Sequence, residues 1–518
     1  MKADLILAGG RVRSLGRHGL SPSSHLAVAG GLVVALGGAE VLELKGRATR
    51  VVELAGAGVL PGFNDPHAHV VYHALSSYGA DLGGSRSIAE LQRRLAAAAD
   101  RLAPGAWLLG RGYSELELAE GRPPLRAELD AVTGDRPSFV DHRGGHSRVA
   151  NSAALAAAGL GPGSPDPPGG ALGRGPDGSL DGLLVESAMR LVADHQPPPA
   201  FEQRHAGVQA TLKLLASRGI TSVGAAVNRG FADDHRVYAT LAEEGRLRVR
   251  VNEFLSWELV PALRRLGFQT GGAGSLVRFG PVKVFVDGGA GTGTAAFRTG
   301  AGPWRTPPDE LAALVREAQE GGLQVAAHCV GDGAIEAFVN AVEAAQDGRG
   351  ERLRHRVEHC TYCPPDLQRR MARAEIVAVM QPLFSNLGRA RLGAEIGTGA
   401  ERHVAAHRDL LRAGVVVAFS SDLPVVADPN PWDGLAAAVT DEEQPLTQLQ
   451  ALRAYTAGGA WTSFEEGVKG ALEVGRLADF QVYPVDPLEL PPGEWPALRP
   501  RLVALAGRPV SGRFSDLA

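Results

Sequence analysis

Leu60-Pro61-Gly62-Phe63-Asn64-Asp65-Pro66-His67-Ala68-His69 is the stretch on which the reading of the fold turns. An apolar run ends at Pro61-Gly62, and two histidines follow at i and i+2. A β-strand has a period of two, so His67 and His69 fall on one face and Ala68 on the other. Two imidazoles on one face near a strand end can grip one metal ion. Alone, a His-x-His pair reads more readily as two ordinary loop histidines, and the rest of the chain decides between these.

Upstream, residues 4–58 hold short strand-like runs separated by glycine turns: Leu5-Ile6-Leu7, Leu26-Ala27-Val28, Val33-Val34-Ala35-Leu36 and Val51-Val52-Glu53-Leu54. The far end has the same texture, in Ala478-Asp479-Phe480-Gln481-Val482-Tyr483 and Leu502-Val503-Ala504-Leu505. Neither end buries much apolar surface by itself. Residues 1–58 and 470–518 are therefore expected to pair into one small β-sandwich.

Downstream, residues 59–469 alternate strand-like and helix-like segments, the pattern of β/α units on a parallel sheet. The strands begin with the one ending at His67 and continue at Ile220-Thr221-Ser222-Val223, Val249-Arg250-Val251 and Val282–Asp287. They go on through Gln324–His328, Arg356–His359, Ile376–Met380 and Val415–Ser420. Helices are expected at 311–320, 333–345 and 365–374. Eight units in the α/β class predict a (β/α)8 TIM barrel, whose catalytic groups come from the C-terminal ends of the strands. No glycine-rich phosphate fingerprint follows the first strand, which counts against a dinucleotide-binding sheet. Between the first and second strands lies an insertion, about 85–200. It opens on a helix at 87–102 with a capping box, Ser87-x-x-Glu90, and includes a turn-rich segment from Gly161 to Gly182. Long insertions of this kind cover sites.

The strand ends collect the polar residues: His67, His69, Lys283, His328, His359 and Asp422. Singly, each has a plain explanation. His328 and His359 read as buried histidines bonded to backbone, Asp422 as a turn cap, and Lys283 as half of an ion pair with Asp287. Lys283 resists most. It lies opposite Val282, Val284 and Val286 in an apolar strand, and burying an ammonium is costly unless it is paired. The chain has lysine only at Lys2, Lys45, Lys213, Lys283 and Lys469 and otherwise uses arginine, the better fork for an ion pair. A need for a primary amine explains the choice. An uncharged lysine amine adds carbon dioxide to give a carbamate, an anionic ligand that can bridge two metals. Taken together, nitrogen and carboxylate groups at one barrel mouth suit Zn²⁺ and related divalent ions.

These motifs, in this order, resemble the amidohydrolase superfamily, and within it the family 3 branch that includes N-substituted formamide deformylases. The resemblance is carried by Pro61-Gly62-Phe63-x-Asp65-x-His67-x-His69, Lys283, Asp287-Gly288, His328-x-x-Gly331-Asp332, Glu358-His359 and Ser421-Asp422. Gly145-His146-Ser147 with Asn151-Ser152-Ala153-Ala154-Leu155, and Gly475-Arg476-Leu477-Ala478-Asp479, extend it across nearly the whole chain. It implies ligation of one or two divalent ions by His67, His69, His328, His359 and Asp422, with Lys283 as a carbamylated bridge. It also implies a hydrolase of non-peptide carbon–nitrogen bonds, in which a cation lowers the pKa of bound water to about 7 and the resulting hydroxide attacks a carbonyl. Asp422 would be the general acid–base group, and His146 would contact the oxyanion or the substrate from the insertion. Tyr113, Glu186 and Asp287 are weaker pocket candidates, and Trp107 reads as core.

Two alternatives stay open on the residues alone. One is hydrolysis of an ester, lactone or small dipeptide at the same centre. The other is a ligand-binding member of the fold without catalysis, against which the retained Asp422 argues. Composition narrows the partners. The 518 residues are 44% hydrophobic and 21% charged, with a net charge of −4, which gives no broad attraction for nucleic acid or anionic membrane. No run reaches the roughly 20 apolar residues of a membrane span, and no basic, apolar leader opens the chain. Three cysteines, Cys329, Cys360 and Cys363, argue against a disulfide framework and for a reducing cytoplasm. Cys360-x-x-Cys363 has zinc or redox spacing but no second pair, so buried thiols are expected. The expected partner is a small-molecule substrate, and a homo-oligomer is compatible with the sequence.

Overall fold

The computed structural model describes residues 2–517 except 17–18, 21, 77, 104, 228–233, 273, 301–302, 347–351, 386–388, 390–391, 393–395 and 397–400. Its centre is an eight-stranded parallel sheet in which sequence neighbours pair: β1 (Phe63–Ala68), β2 (Ile220–Ala225), β3 (Arg250–Ser256), β4 (Val277–Phe285), β5 (Val325–Cys329), β6 (Arg356–His359), β7 (Val377–Met380) and β8 (Val417–Phe419). Consecutive order and uniform parallel pairing make this the expected (β/α)8 barrel. The two-residue period is plain in β4. Val282, Val284 and Val286 join the large core under the helices, while Lys283 and Phe285 face the barrel interior. In β5, Val325, Ala327 and Cys329 pack outward and His328 points in. Ala68 also lies in the helix-side core, which leaves His67 and His69 on the inner side.

β8 and β1 share no ladder among the described residues. The barrel closes instead through the segments beyond them. Asp422 N–H donates to His67 O at 2.9 Å, and His69 N–H donates to Leu423 O at 2.7 Å. The Asp65 carboxylate accepts from Ser421 N–H at 3.2 Å and from Ser421 Oγ at 2.6 Å. Closure is therefore made by the polar segment at the barrel mouth.

Both termini build a sandwich. One sheet contains Leu5–Ala8, His25–Ala29, Leu32–Gly37 and Arg50–Glu53. In the other, Gly58–Pro61 pairs antiparallel with Phe480–Tyr483, which pairs with Leu502–Leu505. Leu7, Val12, Leu26, Phe480, Val482 and Leu502 share its core. The strand Gly58–Pro61 leads directly into β1, so the sandwich fixes the entry to the barrel.

The insertion is more ordered than its turn-rich sequence suggests. A six-stranded sheet spans 80–186, flanked by short helices. The segment expected as loop, Gly161 to Gly182, contributes part of a hairpin, Gly170–Arg174 with Leu180–Glu186. Alternate residues Leu180, Gly182, Leu184 and Glu186 are buried, a period-two pattern masked by the flanking Pro and Gly. The helix expected at 87–102 runs Ile88–Ala99. Ser87 caps it by accepting from Glu90 N–H, but the Glu90 carboxylate reaches Arg86 N–H at 2.9 Å rather than Ser87. Other boundaries also moved. β4 begins at Val277 and ends at Phe285, placing Asp287 in the following loop. The helices run Pro308–Glu320, Asp332–Gln346 and Pro365–Arg373. No described helix is long and apolar enough to cross a membrane. Cys329, Cys360 and Cys363 are free and buried, as expected for core thiols.

Candidate metal centre

His67, His69 and Asp422 converge at the mouth, with one ligand atom from each within 4.8 Å of the others. Asp422 Oδ1 lies 3.5 Å from His67 Nε2 and 3.3 Å from His69 Nε2. The His359 ring is 5.2 Å from His67 and 4.5 Å from His328, so the two remaining histidines form a second group beside the first. His328 Nε2 lies 3.2 Å from Gly288 O, and His359 Nδ1 lies 2.9 Å from Gln381 Oε1. The structure thus brings five of the six predicted groups into two touching clusters. Lys283 is 2% exposed beneath them, its ammonium 4.8 Å from the Phe285 ring. Its charge acts on His67, His328 and His359.

The ion pair of Lys283 with Asp287 does not form. The Asp287 carboxylate is engaged by the backbone N–H groups of Ala296, Val330 and Gly331 at 2.9–3.2 Å. Burial pushes that carboxyl up to about 7, against those hydrogen bonds. Asp287 therefore ties the loops after β4 and β5 together. Gly331 is required there, since a Cβ would sit 2.0 Å from Ala296 O.

Each imidazole of the first cluster is oriented from behind. His67 Nδ1 hydrogen-bonds Glu358, and Arg356 grips Glu358 through Nε at 2.7 Å and Nη2 at 3.0 Å. Arg356 and Glu358 are both fully buried and lie two apart on β6, on one face. His69 Nδ1 meets Ala226 O at 3.2 Å. With Nδ1 engaged, each ring presents Nε2 to the centre, the arrangement that fixes a metal-ligating tautomer.

Electrostatics agree with this. Burial drives His67 down to about 3, helped by the Lys283 charge and opposed by Glu358. His359 and His328 are also held below the ordinary imidazole range by burial. All three are neutral and free to donate lone pairs. Burial would raise Asp422, but the polar contact with His69, followed by the nearby His359 and His67 rings as they take up protons in acid, outweighs it and holds the carboxyl below its ordinary range. Glu358 stays ionised likewise, through Arg356, His67 and Lys283 against its burial. Burial lowers Lys283 to about 8.

Three buried atoms here, His67 Nε2, Asp422 Oδ1 and Lys283 Nζ, have no hydrogen-bond partner among the described residues. An unsatisfied buried polar atom costs about 1–3 kcal/mol. Three such atoms around neutral imidazoles and a carboxylate fit a divalent cation. The backbone is also strained where the candidate ligands His359 and Asp422 leave their strands: φ is +72° at His359, +46° at the next residue, Cys360, and +55° at Asp422, the left-handed region that L side chains rarely adopt.

His146 reaches the centre from the insertion, its ring 5.1 Å from that of His328 and its Nδ1 on the Glu186 carboxylate at 3.0 and 3.1 Å. Tyr113 is buried 5.6 Å from the His142 ring, and Trp107 packs on Phe139. Reading strand ends alone missed the supporting roles of Asp65, Arg356 and Gln381. Arg356-x-Glu358, two charges at period two in an apolar strand, was the available signal.

The comparisons agree with this architecture. The sequence profile of the amidohydrolase family matches residues 50–511. N-substituted formamide deformylase of Arthrobacter pascens is 26% identical over 534 residues, 95% of each chain. Protein LONG AFTER FAR-RED 3 of Arabidopsis thaliana is 28% identical over 512 residues, 93% of this chain and 87% of that one. The crystal structure of an uncharacterized metal-dependent hydrolase from Pyrococcus furiosus superposes with a TM-score of 0.75 and 26% identity, over 93% of this chain and 99% of its own. Barrel, site and relatives together define a metal-dependent hydrolase. The chain belongs to the amidohydrolase family.

Proposed function

We propose that this enzyme hydrolyses a non-peptide carbon–nitrogen bond of the formamide or N-acyl amide type in a small-molecule substrate. The observation that carries the reading is Asp422. It is an ionised, buried carboxylate against the imidazoles of His67 and His69, and its Oδ1 has no hydrogen-bond partner among the described residues. The amide class rests on likeness along 95% of both chains to a protein named as an N-substituted formamide deformylase.

His67, His69, His328, His359 and Asp422 would hold one or two divalent ions, zinc being the ion their donor set suits. Lys283 would complete the set as a carbamate. Its amine, eased toward neutrality by burial, adds carbon dioxide and releases a proton, so an ammonium among ligands becomes an anionic oxygen donor. The cation supplies polarisation of the carbonyl and a lowered pKa for water. Asp422 then takes the proton of the attacking water and returns it to the nitrogen as the C–N bond breaks. Glu358 and Ala226 O hold His67 and His69 in register through this transfer. His146, 14% exposed and beside His328, faces the carbonyl oxygen of the substrate.

Elemental analysis of the purified protein, followed by a panel of N-substituted formamides, N-acyl amides, esters, lactones and dipeptides on the same sample, tests this. Bound zinc with turnover of the amides is expected. Turnover of esters, lactones or dipeptides with none of amides would overturn the bond class.

A further inference from the structure

The insertion and the barrel meet at one buried carboxylate. Glu186 ends the last strand of the insertion sheet, is 2% exposed and has φ +52°. From the insertion it accepts His146 Nδ1, and its own N–H donates to His146 O at 3.0 Å. From the barrel it accepts Thr294 Oγ1 at 2.5 Å and Arg305 Nη1 at 3.2 Å. Arg305 is itself seated on the Phe285 ring, 4.3 Å from its centroid.

The loop after β4 is cut to receive this pair. A Cβ on Gly288 would lie 2.2 Å from Glu186 Oε1, and a Cβ on Gly289 would lie 2.6 Å from His146 Cδ2. Adjacent glycines, each with φ outside the left-handed range, are needed here for close approach rather than for backbone conformation. His142 is a contrast. It pairs with Glu115 at 3.1 Å, and both partners belong to the insertion.

We propose that Glu186 is a positioning residue, which with the Gly288-Gly289 cradle fixes the His146 ring against the barrel so that Nε2 is the nitrogen offered to substrate. The proposal rests on the reading of His146 as a substrate contact. Glu186 engages Nδ1 on one side of the ring, and His328 limits it on the other. An insertion histidine carried on a mobile roof would lack the placement that contact with a developing oxyanion requires.

A kinetic double-mutant cycle separates positioning from general support. Each of Glu186→Ala and His146→Ala should lower kcat about 100-fold with KM nearly unchanged, the size of losing one oxyanion contact. The double variant should be within about 3-fold of His146→Ala, because Glu186 acts only through that ring. Gly289→Ala, which leaves Glu186 intact, should reproduce the loss. Glu186→Gln, whose amide oxygen still accepts from Nδ1, should recover part of it. Metal content should match wild type throughout. Multiplicative losses in the double variant would overturn the proposal, as would full activity in Gly289→Ala. A crystal structure of zinc-loaded Glu186→Gln and Gly289→Ala gives a readout free of turnover. The His146 ring should keep its contact with His328 in the first and lose it in the second, and an unmoved ring in the second would sink the idea even if the amide class itself proved wrong.

Discussion

The backbone N–H of Asp422 donates to the carbonyl oxygen of His67 at 2.9 Å, so two of the converging candidate ligands are also the two ends of the barrel seam. Asp65, two residues before His67, and Ser421, one before Asp422, reinforce the same seam, with Ser421 Oγ 2.6 Å from Asp65 Oδ2. Closing the sheet and assembling the site are one event. Ser421→Ala removes two hydrogen bonds, the one from Oγ to Asp65 and the one that Oγ accepts from Leu423 N–H at 3.1 Å. It should weaken metal binding by about 10–100-fold, the usual cost of losing a supporting partner. Competition with a chelator measures this, and unchanged affinity would show that the seam does not hold the ligands.

Glu358 serves two buried partners, the His67 ring and the Arg356 guanidinium, and all three are fully buried. Glu358→Leu would leave Arg356 an uncompensated interior charge. Breaking a buried pair from one side costs about 3–5 kcal/mol, so denaturant unfolding of the metal-free protein should show a loss of that order. Arg356→Met together with Glu358→Leu should recover most of it, while metal affinity stays low in both because His67 has lost its orienting acceptor. A double variant as unstable as the single one would place the cost elsewhere.

Much of this was legible in the sequence because the barrel repeats one physical pattern. Valines alternate with inward groups in β4, and apolar strands end in polar residues at β1, β5, β6 and beyond β8, so eight units and six candidate ligands could be read directly. Support was harder to see. Asp65 works through the backbone of residue 421, 356 positions away, and no local period encodes that contact. Asp287 looked like an ion-pair partner for Lys283 because both lie on one face of an extended chain. The strand stops at Phe285, and the carboxylate turns instead to backbone donors of the next loops. The insertion hairpin was hidden for a similar reason, as turn chemistry at its ends outweighed a short alternation within it.

Lys283 has no hydrogen-bond partner among the described residues, which suits an amine that is modified and does not suit one kept as a structural cation. Lys283→Ala should lose bound metal and at least about 100-fold in kcat/KM, no less than the roughly 10–100-fold that loss of a partner supporting a ligand costs. Short carboxylic acids such as acetate or propionate should restore part of both, by standing in for the carbamate oxygen. Lys283→Arg, which keeps the charge and cannot be carbamylated, should be as impaired and resist rescue. Full metal content in Lys283→Arg would defeat the carbamate reading.

Acid should destabilise the fold through a histidine that takes no part in the chemistry. His355 is fully buried between β5 and the helix Pro308–Glu320, and its Nδ1 accepts from Val325 N–H at 2.9 Å while Nε2 meets Gln319 Oε1 at 2.9 Å. Only the neutral ring makes both bonds, and burial lowers its pKa from 6.5 to about 4. The unfolded chain therefore takes up this proton first as pH falls, and stability is lost between about 6.5 and 4. A shift of that size corresponds to about 3 kcal/mol when complete. Above 6.5 the contribution is fully present. His355→Gln should cost about 1–2 kcal/mol at pH 7.5 through imperfect hydrogen bonding, yet lose up to one proton's worth of slope between pH 6.5 and 4. Half-buried His73 and fully buried His407, each lowered to about 4 chiefly by desolvation, keep their own share of that slope. Urea unfolding across this range for both proteins gives the two slopes. Equal slopes would mean that His355 is already protonated in the fold or exchanges its proton with solvent, and that the pairing with Val325 N–H does not hold the ring neutral.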